Sequence, residues 1–156
     1  MYKLDSIDKQ ILALLQEHGR ITNSELSKQV GLSAASALER VKKLERAGVI
    51  RGYHANLDHA AVGIGLVMLV EVVLARHQQD AIMKFVEAVQ TVDEIIGCYH
   101  VTGRADYILR VVARDIPRYE MFVIEKLSAL PGVQHIETMM ILSAVKESRS
   151  MPIMVE

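Results

Sequence analysis

Two stretches of this chain gather residue types that can do chemistry. One is HVTGRADY, His100 to Tyr107, set between the apolar runs Ile95 to Cys98 and Ile108 to Val112. A hairpin turn explains Gly103 and Asp106, because glycine accepts a positive φ and aspartate bonds nearby backbone amides. Thr102 and Tyr107 add hydroxyls beside that turn, more polar chemistry than a turn alone requires. The other stretch is Arg40 to Arg51, where five Lys and Arg residues face Glu45 alone, five minus one giving a local +4. Charge of that density suits either a polyanion or a solvated helix face.

Reactive chemistry is sparse elsewhere. The chain has no Gly-rich phosphate loop, HExxH, GxSxG or paired Cys-x-x-Cys, the patterns that would signal nucleotide, zinc or nucleophilic catalysis. Its histidines, His18, His54, His59, His77, His100 and His135, lack metal-ligand spacing, and His54 with Asp58 and His59 reads as a solvated loop. Cys98 is expected to be a small buried hydrophobe, and Met139, Met140, Met151 and Met154 to fill cores and interfaces. Neither catalysis, a bound metal nor a cofactor is expected.

The 156 residues, 51% hydrophobic and 24% charged, are globular in composition and suffice for one domain or two small ones. The longest apolar run, Gly63 to Leu74, is broken by Glu71 and falls short of the roughly 20 residues a bilayer span needs. Asp5 and Asp8 stand where a secretory leader would be basic and then apolar, and a lone cysteine forms no internal disulfide, so a cytoplasmic protein without membrane contact is expected. The net charge of −1 divides unevenly: residues 1–60 hold nine basic and seven acidic residues, +2, and residues 61–156 hold nine and twelve, −3.

The elements that must position these groups follow from periodicity. Leu4, Ile7, Ile11, Leu14 and Leu15 recur at three and four residue steps, a helix capped by Asp5 or Ser6 and ended by Gly19. Thr22 with Glu25 forms a capping-box pattern for a second helix with Leu26 and Val30 inward, which Gly31 stops. Ser33 caps a third with the stripe Leu38, Val41 and Leu44, ended by Gly48. A helix pair joined by so short a glycine turn is the helix-turn-helix arrangement. At 100° per residue, Ser36, Glu39, Arg40 and Lys43 fall opposite the stripe. Ser33, Ala34, Ala35 and Ser36 are small enough to approach base edges, and Arg40, Lys42, Lys43 and Arg46 suit phosphate or guanine contacts, making double-stranded DNA the expected partner.

After Gly48, residues 49–56 look extended and 57–63 look like a linker. Gly65 to Ala75 reads as a buried strand, and Gln78 to Gln90 as a helix with Ile82, Phe85, Val86 and Val89 at helical spacing. Asp93 to Thr102 and Asp106 to Ala113 read as strands joined at Gly103. Asp115 caps a helix with Pro117 in its first turn and Tyr119, Val123, Leu127 and Leu130 inward; Pro131-Gly132 ends it, and Val133 to Val145 is the last strand. The order is the ferredoxin-like βαββαβ pattern. The fold class is therefore α+β: a helix-turn-helix, winged-helix-like domain over residues 1–50, an extended linker over 51–63, a ferredoxin-like domain over 64–148 and a tail over 149–156. Two helices cover one face of such a sheet, so the other, with Val67, Leu69 and Met139 or Met140, is expected to pair with a second copy.

These residues resemble a known family. LDSIDKQILALLQEHGRITNSELSKQVGLSAASALERVKKLERAGVIRGYHANLD is similar to the N-terminal half of the leucine-responsive/asparagine-regulator (Lrp/AsnC) family of transcription factors, and YHVTGRADYILRV with LPGVQHIETMMILSAVKES resembles its effector-binding module. The resemblance implies a DNA-binding transcriptional regulator, associated with the nucleoid, that responds to an amino acid and assembles from homodimers into octamers. Carried over by position, it implies a ligand wall of Tyr99, His100, Thr102, Gly103, Asp106 and Tyr107, with Ile136 and Thr138 on the neighbouring wall. Gly103 would let the backbone approach a small zwitterion, Asp106 would meet its ammonium, and Thr102 with backbone donors its carboxylate. The recognition helix begins SAAS where the family commonly has Pro after the Ser, and Glu39 lies among its bases. An architectural DNA-binding protein without an effector is the alternative.

Overall fold

The computed structural model describes residues 2–75, 79–148 and 150–154, with backbone alone at Gln79 and Asp80; His77 lies outside the described residues. The chain falls into two units, residues up to Asn56 with the described residues from Val145 onward, and Leu57–Ala144. The tail expected as a separate piece from 149 thus joins the first unit from Val145, where the Gln16 side-chain amide donates to the Met151 carbonyl at 3.1 Å and accepts from the Met151 amide at 2.7 Å.

In the first unit, α1 (Ser6–Glu17) starts at a reciprocal cap: the Asp5 carboxylate accepts the Asp8 amide hydrogen at 2.8 Å and the Asp8 carboxylate accepts that of Asp5 at 3.3 Å. Helix α2 (Asn23–Gln29) has the same device in Thr22 and Glu25. Gly31, at φ 70°, makes the turn, and the Asn23 side-chain amide spans it to the Ala34 carbonyl at 2.7 Å. Helix α3 (Ala34–Arg46) is capped by Ser33, whose hydroxyl accepts the Ser36 amide hydrogen at 3.1 Å. Ile11, Leu26, Val30 and Leu44 form the core of this unit.

One expectation is corrected. The inner stripe of α3 includes Ala37, fully buried, while Leu38 is 42% exposed. Ala37, Arg40, Val41 and Leu44 are spaced to share one face, on which Ala37 and Leu44 are fully buried. Among the described residues no strand follows α3 until Leu66; a short 3-10 turn, Ala60–Val62, interrupts the linker.

The second unit is an antiparallel sheet in the order β2-β3-β1-β4, made of β1 (Leu66–Leu74), β2 (Ile95–His100), β3 (Tyr107–Ala113) and β4 (Val133–Met140), with α4 (Gln79–Val89) between β1 and β2 and α5 (Ile116–Glu125) between β3 and β4. Helix α5 starts where expected, at Asp115 with Pro117 in its first turn. It ends before Pro131: a 3-10 turn, Leu127–Ala129, tightens the chain so that Leu127 and Leu130 both enter the core. Strand β4 stops at Met140 rather than Val145.

Alternation divides the sheet cleanly. Met68, Val70, Val72 and Leu74 point to the helices and join Phe85, Leu109, Val111 and Phe122 in the core. Val67, Leu69, Glu71 and Val73 point the other way and are only half-buried. Strand β1 thus has one covered and one open apolar face, with Val67 and Leu69 on the open one as expected and Met139, opposite Leu69, beside them.

Candidate nucleic-acid interface and effector site

The outward surface of α3 carries the first candidate site. Ser33, Ala34, Ala35, Ser36, Glu39, Lys42, Lys43 and Arg46 are exposed. Leu38, missed as a surface residue, lies three and four residues from Ala35 and Lys42, a spacing that places all three on one stripe. Arg46 pairs with Glu39 at 2.6 Å, which answers part of the positive charge, and Lys43 stands 5.4 Å above the Tyr2 ring.

Arg40 does not belong to that surface, contrary to the sequence expectation. Its guanidinium Nη1 turns toward α1 and donates to Asp5 at 2.6 Å and to Asp8 at 2.8 Å. The Asp8 side chain is 3% exposed and takes a further hydrogen bond from the Tyr2 hydroxyl at 3.3 Å. A buried carboxylate needs a cation, and Arg40 supplies it. The backbone cap from Asp8 and then the Arg40 guanidinium hold the Asp5 carboxyl below its ordinary value, and Asp5 and Asp8 raise that of Arg40. The signal was legible in part: Asp8 sits three residues before Ile11, a charge on an apolar stripe.

The second candidate site surrounds the β2–β3 hairpin. Gly103 has φ 129°, a conformation that favours glycine, and nothing lies within 4 Å of where a Cβ would stand, so the turn opens to solvent. Asp106 ties the hairpin to the sheet: its amide donates to the Val72 carbonyl at 3.0 Å, its carbonyl accepts from the Val101 amide at 3.0 Å, and its carboxylate accepts from the Leu74 amide at 2.8 Å. The plain-turn role is thus real. A carboxylate has about four acceptor positions, which leaves capacity for an ammonium.

The register puts His100, Tyr107, Val72 and Ile136 on one rung across all four strands, facing the helices. Tyr107 is 7% exposed, stacked on His100 with centroids 4.9 Å apart and tilted on Phe85 at 4.9 Å, and burial first of all pushes its phenol up. It is a core residue whose ring supports His100. Thr138 bonds through its hydroxyl to the Tyr119 hydroxyl. Tyr99, exposed, is on the opposite face, its ring over Gly97. His100 and Ile136 sit at opposite sheet edges, three strand spacings or roughly 14 Å apart. Within one chain, His100 and Ile136 do not meet, while Asp106 is bonded to β1, the neighbour of β4.

The open face includes an unforeseen cluster. Glu71 and Glu137 are directly opposite in the ladder, where like charges repel, and Arg104 from the hairpin turn reaches both at 3.4 Å. Cys98 is half-buried and burial raises its thiol, away from thiolate reactivity. Among the described residues no group of three metal-binding side chains gathers, and no helix is long and apolar enough to cross a membrane.

Comparison with known proteins finds matches for both halves of the chain. A winged helix-turn-helix DNA-binding model matches residues 4–51, and the Lrp/AsnC ligand binding domain matches residues 67–151. The leucine-responsive regulatory proteins of Escherichia coli K12 and Klebsiella pneumoniae are each 43% identical over 150 residues, 96% of this chain and 92% of theirs. A transcriptional regulator of Neisseria meningitidis, solved as its L-Met complex, superposes with a TM-score of 0.92 at 37% identity over 96% of this chain and 97% of that one. Escherichia coli AsnC superposes with a TM-score of 0.87 at 25% identity, over 96% and 99%. With a helix-turn-helix unit and a ligand-binding sheet both matched, and nearly the whole length shared with named regulators, this chain belongs to the Lrp/AsnC family: it is a DNA-binding transcriptional regulator with an effector-binding domain, and not an enzyme.

Proposed function

We propose that this regulator reads an amino acid and converts its level into a change of assembly and DNA affinity, acting in the cytoplasm on the nucleoid. The recognition surface is the outward face of α3, where Ser33, Ala34, Ala35 and Ser36 at its start approach base edges, Leu38 offers apolar contact to a thymine methyl, and Lys42, Lys43 and Arg46 in its second half meet phosphate or guanine. Two copies pair through the open sheet faces. Dimers then assemble further, up to an octamer, so that the hairpin of one chain meets the β4 edge of another.

The observation that carries this reading is the rung from His100 to Ile136. Tyr99 and His100 lie on the edge strand β2, Thr102 and Gly103 in the turn that follows it, Asp106 directly before β3 and bonded to β1, and Ile136 and Thr138 on the opposite edge strand β4. A pocket using both groups takes them from different chains, and a ligand seated there bridges subunits. Asp106 meets the ammonium, Thr102 and the hairpin amides the carboxylate, and Ile136 the side chain. The L-Met complex of the Neisseria regulator and the leucine response in the relatives' names favour an apolar amino acid.

A thermal-shift screen of the twenty amino acids, read beside solution mass, tests this. One or a few apolar amino acids are expected to raise Tm and change the mass, since ligands that bind only the folded assembly stabilise it. Twenty silent amino acids with unchanged mass would leave the architectural, effector-free reading instead.

A further inference from the structure

The charge of Arg40 and its place in a basic run assign it to DNA; its contacts assign it elsewhere. Nη1 bridges two carboxylates, Asp5 at 2.6 Å and Asp8 at 2.8 Å, while the Arg40 side chain is 32% exposed and that of Asp8 3%. Asp8 also accepts from the Tyr2 hydroxyl and the Asp5 amide, both at 3.3 Å. The apolar contacts of the core, which joins Ile11 of α1 to Leu44 of α3 with Leu26 and Val30, hold the helices together but are non-directional. They tolerate a small rotation or slide of α3. Charge-assisted hydrogen bonds to a nearly buried carboxylate do not, because a carboxylate left there without its cation is costly.

We propose that Arg40 is a positioning residue that, through Asp8 and Asp5, fixes the rotation of α3 on α1 and so the presentation of Ala35, Leu38 and Lys42, without itself contacting DNA. The inference rests on the reading of α3 as the recognition helix. The clamp reaches the basic face a second way: Lys43 stands over Tyr2, whose hydroxyl bonds to Asp8. Its consequence is a division of labour. Lys42 supplies counterion release, which every DNA sequence elicits, whereas the clamp supplies alignment, which only the cognate sequence rewards.

The test is a salt titration of affinity for promoter DNA and for unrelated DNA, using the full-length protein and the variants Arg40→Gln, Arg40→Lys, Asp8→Asn, the double variant Arg40→Gln/Asp8→Asn, and Lys42→Gln. Steep salt dependence of the wild type is the control for the recognition-helix reading; its absence would end that reading whatever the variants do. Arg40→Gln is expected to lose about tenfold to hundredfold on promoter DNA, with unrelated DNA and the salt slope little changed, and the double variant to lose no more than the worse single one, as coupled partners do. Arg40→Lys keeps the charge but ends one bond short of Nη1, the atom that reaches both carboxylates, and should resemble Arg40→Gln. Lys42→Gln should lower the slope by about one per DNA-bound copy of α3 on both DNAs.

Arg40 would be a DNA contact, and the proposal overturned, if Arg40→Gln lowered the slope by about one per DNA-bound copy of α3, if its loss added to that of Asp8→Asn, or if Arg40→Lys bound as wild type. Equal binding of both DNAs by Arg40→Gln and wild type would overturn it as well. Should Arg40→Gln fail to fold, Asp5→Asn provides the same readout, because Asp5 is 51% exposed and its loss leaves the Asp8 pair in place. It should cost specificity with an unchanged slope; an unaltered promoter preference counts against the clamp.

Discussion

The Asp106 carboxylate accepts the Leu74 amide hydrogen at 2.8 Å, fastening the hairpin that carries Gly103 to the end of β1. One residue therefore has two separable duties, a structural bond to a backbone amide and a proposed bond to an effector's ammonium. Asp106→Asn keeps an acceptor for Leu74 but loses the charge, and should abolish the amino-acid response with stability changed by less than about 0.5 kcal/mol. Asp106→Ala leaves the Leu74 amide without that acceptor and should cost about 1–2 kcal/mol as well. Urea unfolding and effector-induced thermal shift separate the two. An Asp106→Asn protein that still responds would confine Asp106 to the turn.

The open sheet face gives a second expectation. Leu69 lies at its centre, between Arg110 and Met139 in register. Leu69→Glu places a third carboxylate near Glu71 and Glu137, and it should reduce the solution mass to that of the monomer with the circular dichroism of the fold retained. An unchanged sedimentation profile would mean that the copies pair elsewhere.

Gly65 precedes β1, and a Cβ there would stand 2.4 Å from the Arg114 carbonyl oxygen. Backbone cannot move aside as a side-chain tip can. Gly65→Ala should therefore destabilise the protein by about 1–3 kcal/mol, lowering the urea midpoint, even though alanine suits the extended conformation of a strand approach. No change would contradict the packing of β1 against the end of β3.

Acid should loosen the helix-turn-helix unit. Asp5 has its carboxyl lowered by the Asp8 amide and then by Arg40, and Glu25 has its own lowered by the Thr22 hydroxyl and amide. A carboxyl lowered in the folded state contributes stability that is present above its unfolded value, about 4, and is lost as pH falls through the folded one. The wild type should lose stability below about pH 4, and Asp5→Asn should flatten that limb, as read by thermal melts from pH 6 downward. An identical acid limb in the two proteins would remove Asp5 from it.

Much of the architecture could be read from the chain because local rules and burial agree. Thr22 with Glu25, Ser33, Asp115 with Pro117, and Gly31 each cap or turn where their chemistry dictates. The readings that changed are tertiary. Periodicity gives a stripe but not its centre, so Leu38 and Ala37 exchanged places; charge gives a cation but not its partner, so Arg40 turned inward to a carboxylate thirty-two residues away. Apolar content places Val67 and Leu69 on the open face of β1 but cannot tell that Met139, opposite Leu69, joins them rather than Met140. Nor can it foresee Arg104 bridging Glu71 and Glu137, a meeting that exists only once β1, β4 and the hairpin are in register.

The most direct measurement is the affinity of the full-length protein for its own promoter and for scrambled DNA over a range of salt, repeated with each apolar amino acid at saturation. The account predicts a steep fall of log K with log salt, a preference for the promoter over scrambled DNA of at least about a thousandfold, and a shift of promoter affinity by about 5- to 150-fold with one amino acid, accompanied by a change of mass. Equal binding to both DNAs with no amino acid altering either affinity or mass would contradict it.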